Sequence, residues 1–445
     1  MLESYKSYEK SEIDWLGEIP NHWSVKRIKD LISFIDQGWS PNAENRTVEE
    51  NEWGVLKISA VKNGIYNELE HKALSEDTVP ITKYLVKEND ILLTRSNTPD
   101  LVGDACIVSD TKLNLMYSDL VYKMTHIERI CDPRFIVYYL ISYKNRYQIK
   151  ISARGLNESM VKVSSTSIKN WFICLPNDKD EQSAIADYLD KMTSKIDTKI
   201  RLLEEKVNKY IDIKLSLINK TVCRGINKKT ALKNSEIEWI GDIPEHWKLE
   251  RIKNIFTERS IRNINETGEP ITTNILSVMK DVGVINHEEK GNVGNKMSED
   301  ITGYKLVYPD DIVVNKMNVL IGSVGISKEF GALSVVYIIL TTKKNNSPQY
   351  YDYLFRSKRF QKYLRRIATG ILEIREAVDM TLFMQEEIPN PCLDEQNEIV
   401  DYLNEKVTNI DRIIDTIKSE IDLLKEYRKT LINDVVTGKV RVFNE

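Results

Sequence analysis

Apolar residues fall at Val400, Leu403, Val407, Ile410, Ile414, Ile417, Ile421, Leu424, Leu431 and Val435, in steps that alternate three and four. Such a stripe is the a/d seam of a coiled coil and predicts a long helix from Val400 onward. The only break is Arg428. Moving 214 positions back gives Ala186, Leu189, Thr193, Ile196, Ile200, Leu203, Val207, Tyr210, Leu217 and Thr221, with Lys214 at the break. Each helix, roughly 40 residues long, would extend about 60 Å at about 1.5 Å per residue. Each is the other's obvious partner. Antiparallel pairing is expected, because it places two globular domains at opposite ends; a parallel or intermolecular pairing stays open. A cation at the same seam site in both copies suggests one shared end of the helix pair. Asn177 or Asp178 after Pro176, and Asp394 after Pro391, are the candidate N-caps.

The seam is one part of a tandem duplication. WLGEIPNHWSVKRIK at 15–29 returns as WIGDIPEHWKLERIK at 239–253, and DEQSAIADYLDK from Asp180 returns as DEQNEIVDYLNE from Asp394. DILLTRSN from Asp90 echoes DIVVNKMN from Asp311, and Leu217-Ile218-Asn219 echoes Leu431-Ile432-Asn433. Four matches in the same order establish two copies of one architecture. The ends of the copies match well and the middles only at scattered points, which suggests different ligands. Drift in loops is the alternative.

Between the matched ends lie short mixed patterns. Ile91-Leu92-Leu93 and Ile312-Val313-Val314 read as buried strands after a turn, and Gly38-Trp39-Ser40-Pro41 as a turn. The expected fold class is α+β: two mixed α/β domains joined by two long antiparallel coiled-coil helices in a pseudo-symmetric repeat. The expected boundaries are 1–176 for the first domain, 177–224 for the first helix, 225–238 for a linker, 239–392 for the second domain and 393–445 for the second helix. Strand order lies beyond the pattern.

Composition adds limits. Hydrophobic content of 41% and charged content of 29% over 445 residues fit a globular chain too long for one core. No apolar run reaches membrane-spanning length, and the segment MLESYKSYEK has no signal-like stretch, so the expected compartment is the cytoplasm. Cys106, Cys131, Cys174, Cys223 and Cys392 are scattered without a CxxC pair, so reduced, mostly buried thiols are expected. A net charge of −4 argues for no nucleic-acid partner by itself; local concentration decides.

Cations do concentrate locally. Arg356, Lys358, Arg359, Lys362, Arg365 and Arg366 lie together with Phe360 and Tyr363 interleaved and no acid between them. The first copy has a weaker counterpart in Lys144, Arg146, Lys150 and Arg154, with Tyr143 and Tyr147. Several cations on one element can neutralise phosphates, and the aromatics are expected on the buried face; a merely solvated helix face is the alternative. Candidates for reading base edges are Arg95, Ser96 and Asn97 after the first strand, Lys316 and Asn318 after the second, and the loops around Arg154, Asn157, Thr369 and Arg375. No catalytic or metal-ligating residue is expected. Gly438-Lys439 lacks the rest of a P-loop, and Asp132-Pro133-Arg134-Phe135 is a helix-opening turn rather than a methyltransferase motif, having no glycine-rich loop beside it. Asp310, Asp311 and Lys316 lack nuclease spacing, and the histidines, His22 and His246 included, read as structural.

The doubled W-x-G-x-IP-x-x-W segment, the DEQ-x-x-I-x-x-YL helix openings and the LIN endings together resemble the specificity (S) subunit of type I restriction-modification systems. The resemblance covers nearly the whole chain. It implies that each globular unit is a target-recognition domain reading one half of a bipartite, asymmetric DNA sequence. It further implies that the paired helices hold the halves apart and dock two methyltransferase (M) subunits, with restriction (R) subunits completing the complex. S-adenosylmethionine, ATP and magnesium then belong to the partners, and this chain carries no cofactor. The rival readings are a coiled-coil scaffold with protein-binding domains and a self-sufficient DNA methyltransferase.

Overall fold

The computed structural model describes residues 3–157, 160–291, 297–369 and 377–442, with the side chains of 155–157 and 369 left undescribed. The chain forms two compact units: 1–203 with 419–445, and 204–418. Among the described residues no helix is long and apolar enough to cross a membrane.

The first unit is built on an antiparallel sheet in the order Ala105–Ile107, Ile91–Thr94, Val121–His126, Ile32–Gln37. Ile91–Thr94 is wholly buried, which is why it reads as an unbroken apolar run. The preceding turn puts Asn89 at φ 66°, a left-handed conformation Asn tolerates, and the Asp90 carboxylate accepts the Lys87 amide at 2.8 Å. A second four-stranded sheet runs Asn114–Met116, Trp53–Leu56, His71–Leu74, Ala43–Glu44, its first pair parallel. Gly38 does not turn the chain as expected. It follows the strand Ile32–Gln37 in close packing, where a Cβ would lie 2.2 Å from the Tyr117 carbonyl oxygen.

The second unit repeats the main sheet in the same order: Val324–Ile326, Ile312–Asn315, Tyr337–Thr342, Phe256–Glu258. Ile312 pairs with Ile326 and Leu340 as Ile91 pairs with Ile107 and Met124. Asp310 takes φ 69° and Asp311 accepts the Tyr308 amide at 2.9 Å. The duplication therefore reaches into the diverged middle. It also begins earlier than the tryptophan segment. Leu232–Asn234, inside the stretch expected as a linker, pairs with Asp242–Pro244 as Tyr8–Lys10 pairs with Glu18–Pro20.

The first long helix, Lys179–Arg224, gives its start to the first unit and its end to the second; Leu393–Val436 does the reverse. Asp178 caps the first by accepting the Asp180 amide at 3.0 Å. Asp394 is not the cap of the second, because helix begins at Leu393 and the aspartate sits in its first turn. Leu189, Ile196, Ile200, Val207, Leu403, Ile414, Ile417 and Ile421 are buried, and Leu203, Val407, Ile410 and Leu424 half-buried. Within each unit the segments run antiparallel: Asp197 meets Arg428 at 3.0 Å and Lys199 meets Glu420 at 2.7 Å in the first. In the second, Lys214 meets Asp411 at 2.6 Å. The seam cations thus mark no shared end. One belongs to each unit, and each faces an aspartate at an equivalent position, Asp197 or Asp411.

The matched motifs are two sides of one hydrogen-bonded joint. The buried Glu181 carboxylate accepts from Tyr5 Oη at 2.8 Å, His22 Nε2 at 3.0 Å and Trp23 Nε1 at 3.2 Å. Glu395 accepts from His246 Nε2 at 3.0 Å and Trp247 Nε1 at 2.8 Å. The next residue completes the joint. Gln182 Oε1 accepts the Asp132 amide at 3.0 Å, at the N-cap of helix Pro133–Ile141, and Gln396 Oε1 accepts the Ser347 amide at 2.7 Å, at the N-cap of Pro348–Arg356. The helices end at glycines, Gly225 (φ 68°) and Gly438 (φ 73°), in the left-handed conformation that terminates a helix without a Cβ penalty. A Cβ on Gly438 would also strike Pro20 Cδ at 2.4 Å.

Glu181→Ala leaves buried donors unpaired and should lower the stability of the first unit by about 2–4 kcal/mol, whereas Glu181→Gln keeps an acceptor and should cost about 1 kcal/mol. Denaturant unfolding of the two variants measures the gap, and equal losses would show that the negative charge, rather than an acceptor of the right shape, holds the joint. At the seam, Asp197→Ala strands a mostly buried cation and should cost about 1–3 kcal/mol; Arg428→Leu leaves an aspartate with access to water and should cost less or nothing.

Candidate nucleic-acid interface

In the second unit the basic run forms helix Lys358–Leu364 and a following turn, Arg365–Ile367. Ser357 opens it by accepting the Phe360 amide, and Phe360 and Leu364 bury its inner face. Although no acid lies within the run, the helix before it and more distant segments supply acids. Lys358 pairs with Asp281 at 2.6 Å, Arg356 donates to the Asp281 carbonyl at 2.9 Å and faces Asp352 at 3.5 Å, and Arg366 pairs with Glu386. Arg366 also lies over the Tyr363 ring, 4.2 Å from its centre. Burial, its largest influence, raises the Asp352 pKa above the ordinary carboxylate value. That leaves Arg359, Lys362 and Arg365, all exposed, with no ion pair among the described residues. Arg356 and Lys358 also border a cavity of about 920 Å³, whose lining includes Lys214 and Asp411.

The counterpart in the first unit is spent internally. Lys144 Nζ donates to the Leu16 carbonyl, and burial lowers its pKa. The Arg146 guanidinium donates to the Val102 carbonyl at 2.6 Å and the Pro99 carbonyl at 2.9 Å, binding a loop rather than facing outward. Lys150 pairs with Asp100 at 2.9 Å, and Arg154 alone of the four is exposed without an ion pair among the described residues. The expectation that Tyr143 and Tyr147 form the buried face is overturned. They are 57% and 55% exposed, and Ile151 joins them at 67%. Tyr147 packs on Trp15, with ring centres 6.1 Å apart. The buried positions of helix Arg146–Ser152 and its N-cap belong to Ile149 and Asn145 instead.

The loop candidates are brought together in small sheets. Ser96–Asn97 pairs with Met160–Lys162, which pairs with Arg154–Asn157, so the loop after the central strand and the hairpin after the basic helix share one sheet. In the second unit Ala368–Thr369 pairs with Ala377–Val378, and the Val378 amide donates to the Lys316 carbonyl at 2.9 Å. Lys316 and Asn318 are exposed. Ser96 cannot read a base: its side chain is fully buried, because alternation along the strand turns it inward. Arg95 is half-buried and donates to the Asp119 carbonyl at 3.3 Å, while Asn97 caps the Thr98 amide at 2.8 Å. The side chains of Asn157 and Thr369, and Arg375 entirely, lie outside the described residues.

One feature of the first unit had no local signal in the sequence. A cavity of about 330 Å³ is bordered by Lys57, Lys72, Ser40 and Ser118, which come from four separate segments. Lys72 is half-buried and carries no ion pair among the described residues. Cys106, Cys131, Cys174 and Cys223 are buried thiols and Cys392 is exposed. Among the described residues no cluster of three or more His, Cys, Asp or Glu side chains could hold a metal ion.

Residues 20–207 match the family model of the type I restriction modification DNA specificity domain. The chain is 32% identical over 160 residues to the type I restriction enzyme EcoEI specificity subunit of Escherichia coli, covering 36% of this chain and 27% of that one. It is 25% identical to the type I restriction enzyme MjaVIII specificity subunit of Methanocaldococcus jannaschii, across 100% of this chain and 99% of the relative. It is 24% identical to the putative MjaX specificity subunit of the same organism, with 99% of each covered. Among solved structures, the HsdS subunit from Thermoanaerobacter tengcongensis shares the fold with a TM-score of 0.52 at 15% identity, covering 95% of this chain and 98% of that one. A chain from a study of assembly and conformational transition in a type I restriction-modification system aligns with a TM-score of 0.66 at 14% identity, covering 94% and 98%. The duplicated sheet and the twin joints thus accompany a likeness, along the whole chain, to the specificity subunits of type I restriction-modification systems, and residues 20–207 carry the match to their DNA specificity domain.

Proposed function

We propose that this chain supplies DNA sequence specificity to a type I restriction-modification complex, each globular unit reading one half of a bipartite, asymmetric site. The observation that carries this reading is a doubled scaffold around unlike interiors. The main sheet and the Glu-His-Trp joint occur twice in the same arrangement, while the loops and helix faces beside them differ in charge and shape. Two alike frames holding unlike surfaces suit a reader of two unlike half-sites. In this reading the domains span 1–176 and 232–392, the second taking in the strand Leu232–Asn234, and the long helices set the half-site gap and dock two methyltransferase subunits. Catalysis, and with it S-adenosylmethionine, ATP and magnesium, belongs to the methyltransferase and restriction subunits in the cytoplasm. The base readers are sought among Arg95, Asn97, Arg154, Asn157, Lys316, Asn318, Thr369 and Arg375. A protein-binding scaffold is the second reading, favoured by the exposed stripe of Tyr143, Tyr147 and Ile151.

Selection from a random duplex library by the chain with its methyltransferase partner should enrich one split motif. Absence of any enriched motif would leave the scaffold reading standing. Inserting seven residues at equivalent seam positions of both long helices should widen the gap in that motif and leave each half unchanged. An unchanged gap would end the idea that the helices set the spacing.

A further inference from the structure

The repeat makes the outer faces of the basic helices comparable residue by residue. Pro133–Ile141 and Arg146–Ser152 correspond to Pro348–Arg356 and Lys358–Leu364 at an offset of 215, Pro133 to Pro348, and the N-caps of both first helices are tied to equivalent glutamines. At this offset the exposed Tyr143, Tyr147 and Ile151 become Lys358, Lys362 and Arg366. The same geometric face is aromatic and aliphatic in one unit and cationic in the other. The accompanying cations diverge in the same sense: Lys144 and Lys150 are engaged by a carbonyl and by Asp100, whereas the aligned Arg359 and Arg365 are exposed without ion pairs among the described residues.

We propose that the face of the second unit carrying Arg359, Lys362 and Arg365 grips backbone phosphates of DNA, and that its counterpart in the first unit does not, so the two half-sites contribute unequally to the salt-dependent part of affinity. The proposal rests on the DNA-reading function above. Charge complementarity identifies the occupant, because guanidinium and ammonium groups without acidic neighbours release counterions when they meet phosphates. Continuity supports the placement. The turn Arg365–Ile367 leads directly into the strand Ala368–Thr369, whose partner Ala377–Val378 is bonded to the backbone of the candidate reader Lys316. Phosphate contacts beside a base-reading loop would fix its register on the duplex without adding sequence information.

The test is salt-dependent binding of cognate and random duplexes by the full chain assembled with its methyltransferase subunits. Lys362→Ala with Arg365→Ala should weaken both duplexes by the same factor and reduce the slope of log affinity against log salt by about two, roughly one per cation. Tyr147→Lys with Ile151→Arg, at exposed positions that tolerate polar groups, should raise the slope in the opposite sense. An unchanged slope in a double variant that still selects the split motif would overturn the phosphate assignment and leave the DNA-reading function intact. Loss confined to the cognate duplex would also overturn it, by making these residues base readers. A wild-type complex that selects no motif would bring down the underlying reading first.

Discussion

A carboxylate held by a tryptophan and a histidine decides how each globular domain meets its helix. Glu181 and Glu395 sit in the first turn of the long helices, where the helix field favours a negative charge. Glu181 is removed from water and Glu395 partly so, and both accept from donors of the domain's opening segment. Removing either side of the bond would strand the other in a low-dielectric setting, so opening segment and helix start are tied together. The adjoining glutamines extend the tie to the N-cap of a third element. Three elements distant in sequence are thereby fixed by two neighbouring side chains.

That economy explains where variation is tolerated. The joint, the main sheet and the Asp90 and Asp311 turns form a frame that recurs in both units. Around it, charge has been redistributed: Arg146 closes a loop where Gln361 stands in the other unit, and acids from loops far along the chain neutralise part of a basic run. Net charge therefore says little about either face. What counts is which cations keep access to water.

Much of the frame was legible in the sequence. Heptad spacing marked both long helices, because burial of a seam leaves a direct periodic mark, although the second ends at Val436 rather than running to 445. The runs at Ile91 and Ile312 marked central strands, since a strand covered on both faces has little choice but to be apolar. The order of strands left no such mark and needed the structure. Cation partners were equally hidden: Asp281 lies 77 positions before Lys358, and no local pattern links them. Exposure of Tyr143 and Tyr147 inverted a reasonable expectation, because Asn145 satisfies its own amide on the Leu140 carbonyl and takes the interior position instead.

The two seam ion pairs carry a consequence for how such a chain can change length. Lys214 with Asp411 and Arg428 with Asp197 act as detents, each locking one register of the antiparallel segments. A helix insertion of three, four or seven residues keeps the apolar stripe facing its partner with small changes in winding. Five residues would swing everything beyond by about 140° at roughly 3.6 residues per turn. The helices can thus be lengthened only in matched, discrete increments, and any dimension they govern is granular rather than continuous.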